Sequence, residues 1–224
     1  MIALALDTAT SSTVVGLRTA DGRVREARDD VGPGERPRHT QRLLALAAGL
    51  LAEAGHRFAE VELIVVGMGP GTFTGLRIGI ATARGLAQAT GADLVGLSTL
   101  RVLAAAAGPG PVIALIDAGR GEVFAAGYQD GRELVAPAAV APAGLAGLVG
   151  GRSWLAVGSG ALRFEGQFQD ADVTVAPEES SVHRVSAGTM LGLALADDVD
   201  ARGAVTPLYL RLPDAELALR NARS

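Results

Sequence analysis

Two stretches of this chain repeat one pattern, and the repetition constrains the fold more than any other feature. Ala3-Leu4-Ala5-Leu6-Asp7 is followed, fourteen residues after its Asp, by Asp21-Gly22-Arg23. Ile113-Ala114-Leu115-Ile116-Asp117 is followed, thirteen residues after its Asp, by Asp130-Gly131-Arg132. In each unit a short apolar run ends in Asp, turns through small residues, and gives way to a second run and an Asp-Gly hairpin signal. The two Asp residues stand 110 positions apart, and 224 residues leave room for two such units with a sizeable core. The expectation is an α/β protein of two related β-β-β-α halves. The repeat alone places the boundary near Gly108 to Pro111, which divides the chain into residues 1–108 and a smaller 109–224.

Strands are predicted over Ile2–Leu6, Thr13–Arg18 and Arg23–Arg28. After the Gly- and Pro-rich loop Gly32–Pro37, a helix is predicted over Arg38–Ala54, with an apolar stripe of Leu43, Leu46, Ala47, Leu50 and Leu51. Gly55 stands where a glycine ends a helix. A buried-type strand at Leu63–Val66 leads through Gly69-Pro70-Gly71 into a second helix over Thr74–Ala89. The strand Asp93–Leu97 and the helix Ser98–Ala107 follow. The second half is less regular. Pro137–Gly151 reads as loop with one short helix, Trp154–Val157 as a strand, and Val182–Asp197 as an amphipathic helix. The chain ends in Pro207-Leu208-Tyr209-Leu210-Arg211 and a polar tail.

Composition excludes several chemistries. With no cysteine there is neither a disulfide, a thiol nucleophile nor a Cys-ligated zinc. His39, His56 and His183 are the three histidines, and none forms a His-x-x-x-His or His-Glu-x-x-His pair. No Gly-x-Ser-x-Gly elbow is present, and Gly158-Ser159-Gly160 is a poor substitute. The twenty basic residues are all Arg and are scattered through a chain of net charge −4, so no basic stripe for gripping nucleic acid is visible. No uncharged apolar run is long enough to span a membrane, and the N-terminus lacks a basic signal-peptide region. The expected location is the bacterial cytoplasm, with no membrane contact.

Three motifs could carry chemistry. Asp7-Thr8-Ala9-Thr10-Ser11-Ser12-Thr13 can present amides and hydroxyls to a phosphate while Asp7 holds a metal through water, or it can simply satisfy its own turn. Asp117 through Phe124 repeats that turn. Asp117 and Glu122 could act as a carboxylate pair, or form salt bridges with Arg120. Asp7, Thr8 and Asp117 are therefore the candidates for cofactor binding. In Gly67 through Gly79 a glycine-rich loop feeds a helix start, without the endings of a P-loop or the spacing of a dinucleotide fingerprint. Gly71, Gly75, Gly79, Ala83 and Ala87 then recur every four residues on one helix face. Each mid-helix glycine costs about 1 kcal/mol relative to alanine. The stripe therefore implies close packing, either against the chain's own sheet or against another protein's helix. His39, at a helix start, reads as a local contact rather than a base.

These residues resemble the TsaB (YeaZ) family. The likeness is carried by Leu6-Asp7-Thr8-Ala9-Thr10, Arg38-His39-Thr40-Gln41, Gly69 through Gly79, Leu97-Ser98-Thr99-Leu100, Asp117 through Phe124 and Pro207 through Arg211, in order along nearly the whole chain. The resemblance implies an actin-like (ASKHA, ribonuclease H-like) fold with a reduced C-terminal half. It also implies a non-catalytic scaffold or activator in the bacterial formation of threonylcarbamoyladenosine at position 37 of tRNA. The implied partners are the transferase TsaD and the ATPase TsaE, with tRNA reached through the complex and a homodimer when TsaD is absent. ATP and metal are expected in those partners, not here. In the catalytic relative, two metal-ligand histidines occupy the positions of Thr99 and Leu103, and neither residue can replace them. The resemblance places the partner contact on the first two helices, where His39, Leu43, Leu46, Leu50, Gly75, Arg77, Gly79 and Ala83 are the candidates. One face of each helix must still cover the sheet, and the sequence does not assign which. The rival readings are a magnesium-nucleotide kinase or ATPase using Asp7 and Asp117, and a peptidase.

Overall fold

The computed structural model describes residues 1–32, 34–168, 172–196 and 198–211. Pro33 in the predicted loop, the predicted helix end at Asp197 and the polar tail from Leu212 lie outside them. The first unit is an antiparallel meander of β1 (Ala3–Asp7), β2 (Thr13–Arg18) and β3 (Val24–Asp29). Helix α1 (His39–Glu53) follows and ends as predicted, with Gly55 at φ 75° and His56 N–H reaching Leu51 O at 2.8 Å. Strand β4 (Leu63–Gly69) pairs parallel with β1, α2 (Phe73–Thr90) returns the chain, and β5 (Asp93–Ser98) pairs parallel with β4. Helix α3 (Thr99–Ala106) leads to the second unit.

That unit repeats the plan. Strands β6 (Pro111–Gly119), β7 (Glu122–Gln129) and β8 (Arg132–Val140) form the meander, and α4 (Leu145–Val149), β9 (Trp154–Val157), α5 (Ser159–Arg163) and β10 (Val173–Val175) complete it. Helix α6 (Ala187–Leu195) and strand β11 (Ala201–Arg202) follow. The sheet orders are β11-β5-β4-β1-β2-β3 and β10-β9-β6-β7-β8, so β3-β2-β1-β4-β5 corresponds strand for strand to β8-β7-β6-β9-β10. The reduction of the second half is equally direct: α4 and α5 have five residues each, against fifteen and eighteen in α1 and α2.

Side-chain alternation builds the layers. Leu4 and Leu6 point from β1 toward α1 and α2, whereas Ala3 and Ala5 point into a core shared with α3, α6 and the second sheet. A third core lies beyond that sheet, where Ile113, Leu115 and Trp154 meet α4 and α5. The order of layers is α1/α2, first sheet, α3/α6, second sheet, α4/α5. Helix α6 and strand β11 follow the predicted boundary in sequence yet pack on the first sheet.

Two predicted elements differ. Pro137 was expected in a loop but lies in β8, an edge strand that tolerates a residue without an N–H. The helix predicted from Val182 starts at Ala187, because Ser186 caps it by accepting from Thr189 N–H at 3.3 Å. His183 upstream is tied instead to the backbone at Gly158 and Ala176. No helix among the described residues is long and apolar enough to cross a membrane.

Candidate functional site

The turn after β1 packs against the start of α2, and this contact explains the glycine stripe. A Cβ on Gly75 would lie 2.0 Å from Thr8 O, and one on Gly79 would lie 2.4 Å from Thr8 Oγ1. Thr8 Oγ1 donates to Gly75 O at 2.7 Å. Helix α2 can approach the turn this closely only because side chains are absent. Thr72 caps it, its hydroxyl accepting from Gly75 N–H at 3.3 Å.

Asp7 is sealed beneath the same turn at 1% exposure. Its Oδ1 accepts from Ala9 N–H at 3.0 Å, while Oδ2 is buried beside Gly67 with no well-formed hydrogen bond, the Thr99 hydroxyl being its polar neighbour. Burial pushes its pKa up to about 6, against the opposing pull of the Ala9 N–H, the Thr99 hydroxyl and the Arg28 charge. Asp7 and Thr8, the candidates for a metal or phosphate, are both about 1% exposed and serve the packing of the turn; neither lines the cleft beside it.

The open space lies one step outward. Between the strand ends of the two sheets is a cleft of about 320 Å³, walled by Thr10, Ser11, Ser12, Gly71 and Arg28 on one side and by Leu103, Asp117, Ser159 and Arg184 on the other. Asp117 is the one cofactor candidate that reaches it. Its carboxylate is paired with Arg163 and accepts from Gly119 N–H at 2.9 Å. Glu122, the proposed second carboxylate, is paired instead with Arg211 at 2.8 Å. Arg28 is committed to Glu26 at 2.9 Å, Asp30 at 3.2 Å and Val185 O at 2.7 Å. Asp7 is sealed from the cleft and Asp117 is paired with Arg163, so neither carboxylate stands free there for a magnesium nucleotide. Thr99 and Leu103 on α3 are both buried, and neither offers a metal-binding nitrogen. No sequence signal singles out Arg28 or Arg184, and Ser159 enters only through the poor Gly158-Ser159-Gly160 elbow, because only the folded chain brings the three together.

The first two helices divide their residues sharply. His39, Leu43 and Leu50 of α1 and Gly75, Gly79 and Ala83 of α2 are buried in the chain's own core, and Leu46 is half-buried. These six candidates for a partner contact lie on the sheet-covering face of the two helices. His39 Nδ1 meets Thr13 Oγ1 at 2.9 Å, and burial lowers its pKa. Arg77 alone of the eight is exposed. The outward face includes different residues: Leu44, Ala45, Ala48, Gly49 and Ala52 on α1, and Arg77, Ala81, Gly85 and Ala89 on α2, beside the polar Glu53, Arg84 and Gln88. Leu44 is 47% exposed. A Cβ on Gly49 or Gly85 would meet nothing within 4 Å beyond the helix's own backbone.

Comparison with known proteins agrees with this architecture. The family model described as TsaD, tRNA N6-adenosine threonylcarbamoyltransferase, matches residues 33–217. The tRNA threonylcarbamoyladenosine biosynthesis protein TsaB of Escherichia coli is 42% identical over 130 residues, 56% of this chain and 54% of that protein, so the match spans about half of that relative. An uncharacterised protein of Mycobacterium tuberculosis is 33% identical over 219 residues, covering 95% of this chain and 93% of that one. The solved structure of YeaZ from Pseudomonas aeruginosa, 30% identical, superimposes with a TM-score of 0.76 over 93% of this chain and 99% of that chain. With its two matching sheet orders and actin-like fold, the chain belongs to the TsaB/YeaZ family.

Proposed function

We propose that this chain is a non-catalytic subunit in the biosynthesis of threonylcarbamoyladenosine on tRNA, acting by docking the related transferase TsaD through the outward face of α1 and α2. The observation that carries the reading is the pair of exposed mid-helix glycines, Gly49 and Gly85, where an added Cβ would meet nothing within 4 Å beyond the helix's own backbone. Each costs about 1 kcal/mol relative to alanine in a helix. Gly75 and Gly79 offset that cost through packing within the chain, whereas Gly49 and Gly85 do not. A partner helix approaching the backbone closely gives them a use. Leu44 and the flanking alanines supply apolar area, and two adjacent helices can meet two of a related subunit as a four-helix bundle. In this reading the ATPase TsaE and the tRNA join through the complex, ATP and metal reside in the partners, the cytoplasm is the setting, and the same face closes a homodimer when TsaD is absent. The magnesium-nucleotide reading draws no support from a sealed Asp7 and a neutralised Asp117.

Calorimetric titration with TsaD from the same organism tests the proposal. Wild type binds, while Leu44→Glu and Gly85→Leu bind at least tenfold more weakly, with melting temperatures no lower than wild type. Undiminished binding by both variants would place the contact elsewhere, and no binding by wild type would remove the partner.

A further inference from the structure

At the N-terminal end of the same helix face stands a cluster that neither the core nor the cleft uses. The chain has eight aromatic residues, and Tyr209 is the one classed as exposed, at 41%. Its ring stacks on Phe73 with centroids 5.3 Å apart and planes at 29°. Arg77, one turn after Phe73 on α2, lies with its guanidinium 3.7 Å from the Phe73 ring centroid, and its Nε donates to Tyr209 Oη at 3.1 Å. The chain segment carrying Tyr209 is held at both ends. Leu208 N–H donates to Met68 O at 2.7 Å, Arg84 donates to Val205 O, and Arg211 grips Glu122 at 2.8 Å and Ala118 O at 3.0 Å.

These contacts fix the guanidinium on its face and along its Nε edge. The residue is exposed, and among the described residues no carboxylate pairs with its outer edge, Nη1 and Nη2. That edge presents two parallel N–H donors, the geometry that receives a carboxylate in bidentate fashion. Ordinarily an exposed arginine loses much rotamer freedom on binding, but here the stack and the tyrosine have already restricted it. The surroundings select among anions. Thr74, Ala81, Gly85, Gln88 and Ala89 are exposed along α2, the one other exposed arginine of the helix, Arg84, donates to a backbone carbonyl, and no basic stripe accompanies Arg77. A nucleic-acid backbone is normally met by several cations together. A single oriented guanidinium beside a small-residue helix face suits one carboxylate on a protein.

We propose that Arg77, held by Phe73 and Tyr209, is a preorganised receptor for an Asp or Glu side chain of the docking subunit, so that the C-terminal segment of this chain sets the strength of the contact. The inference rests on the proposed partnership with TsaD and adds to it a named anchor.

The test is titration of TsaD into wild type, Arg77→Gln, Arg77→Lys and Tyr209→Phe, with melting curves and tRNA binding measured on each. Loss of one member of a desolvated charge pair weakens binding by about 30-fold or more, and that is the result expected for Arg77→Gln. Arg77→Lys, which keeps the charge but lacks the fork, binds at least about tenfold more weakly than wild type. Tyr209→Phe, which frees the Nε edge, falls between wild type and Arg77→Lys. All three keep melting temperatures close to wild type, because Arg77 and Tyr209 are exposed. Binding by Arg77→Gln within twofold of wild type overturns the anchor while leaving the partnership standing. Full rescue by lysine overturns the bidentate geometry. Loss of tRNA binding with unchanged TsaD binding would reassign Arg77 to phosphate, and failure of wild type to bind TsaD overturns both readings.

Discussion

Replacing Gly75 by alanine asks whether the glycine stripe on α2 belongs to the core. The new Cβ would stand 2.0 Å from Thr8 O and 2.5 Å from Thr72 Oγ1. The first of these is backbone in a turn that also covers Asp7, so it cannot swing aside as a flexible side chain would. Overpacking of this kind costs about 1–3 kcal/mol, and a backbone clash belongs at the upper end. Removing a helical glycine returns about 1 kcal/mol. The net is a loss of about 2 kcal/mol, which lowers the melting temperature by roughly 4–8 °C in a chain of this size. Gly85→Ala is the control: open space receives its Cβ, so only the propensity gain applies and the melting temperature rises by roughly 2–4 °C. Differential scanning calorimetry on the isolated chain reads both. A Gly75→Ala protein as stable as wild type would mean that α2 does not rest on the Thr8 turn, and the assignment of the helix faces would fail.

Three further outcomes are expected. Because burial raises the Asp7 pKa from 3.8 to about 6, the folded state holds its proton while the unfolded chain releases one, so this group's contribution to stability declines as pH rises from about 4 to about 6. The difference is about two units, or about 3 kcal/mol. Asp7→Asn should therefore be more stable than wild type at neutral pH and no more stable below pH 4 by urea unfolding; a destabilised variant at neutral pH would show that the carboxylate is satisfied. Arg211→Ala should speed amide exchange in residues 118–122, which Arg211 holds through Ala118 O and Glu122, and unchanged exchange would show that the turn supports itself. The isolated chain, at net charge −4, should bind tRNA weakly and with steep salt dependence in filter binding, and tight binding at physiological salt would contradict the absence of a basic stripe.

Much of the fold is legible in local chemistry. The apolar runs ending in Asp7 and Asp117, the Asp-Gly turns and Gly55 state their roles within a few residues, and the matching sheet orders follow from them. The candidate site was less legible, because periodicity reveals that a helix face is special without naming what it faces. The Leu43 to Leu50 stripe and the Gly75, Gly79, Ala83 stripe are the most apolar and the smallest faces of their helices, and both are used internally. The signal for the outward face was present as Ala81-Gly85-Ala89 and as Leu44-Ala48-Ala52, each spaced by four, but it is fainter than the core stripes beside it. Asp7 is ambiguous for a related reason: a strand-end Asp looks the same in sequence whether it opens to a cleft or, as here, is closed over beside Gly67 and Thr99. The Arg77, Phe73 and Tyr209 cluster joins positions 132 residues apart from Arg77 to Tyr209, and no local pattern could announce it.

The most direct test of the central claim is threonylcarbamoyladenosine formation on tRNA in a reconstituted system containing TsaD, TsaE, ATP and the threonylcarbamoyl donor, assayed with and without this chain, together with the chain assayed alone. The account predicts no product from the chain alone and a large increase when it joins the other components, with the increase diminished by Leu44→Glu. Product formed by the chain alone, or no change on adding it to the partners from its own organism, would contradict the account.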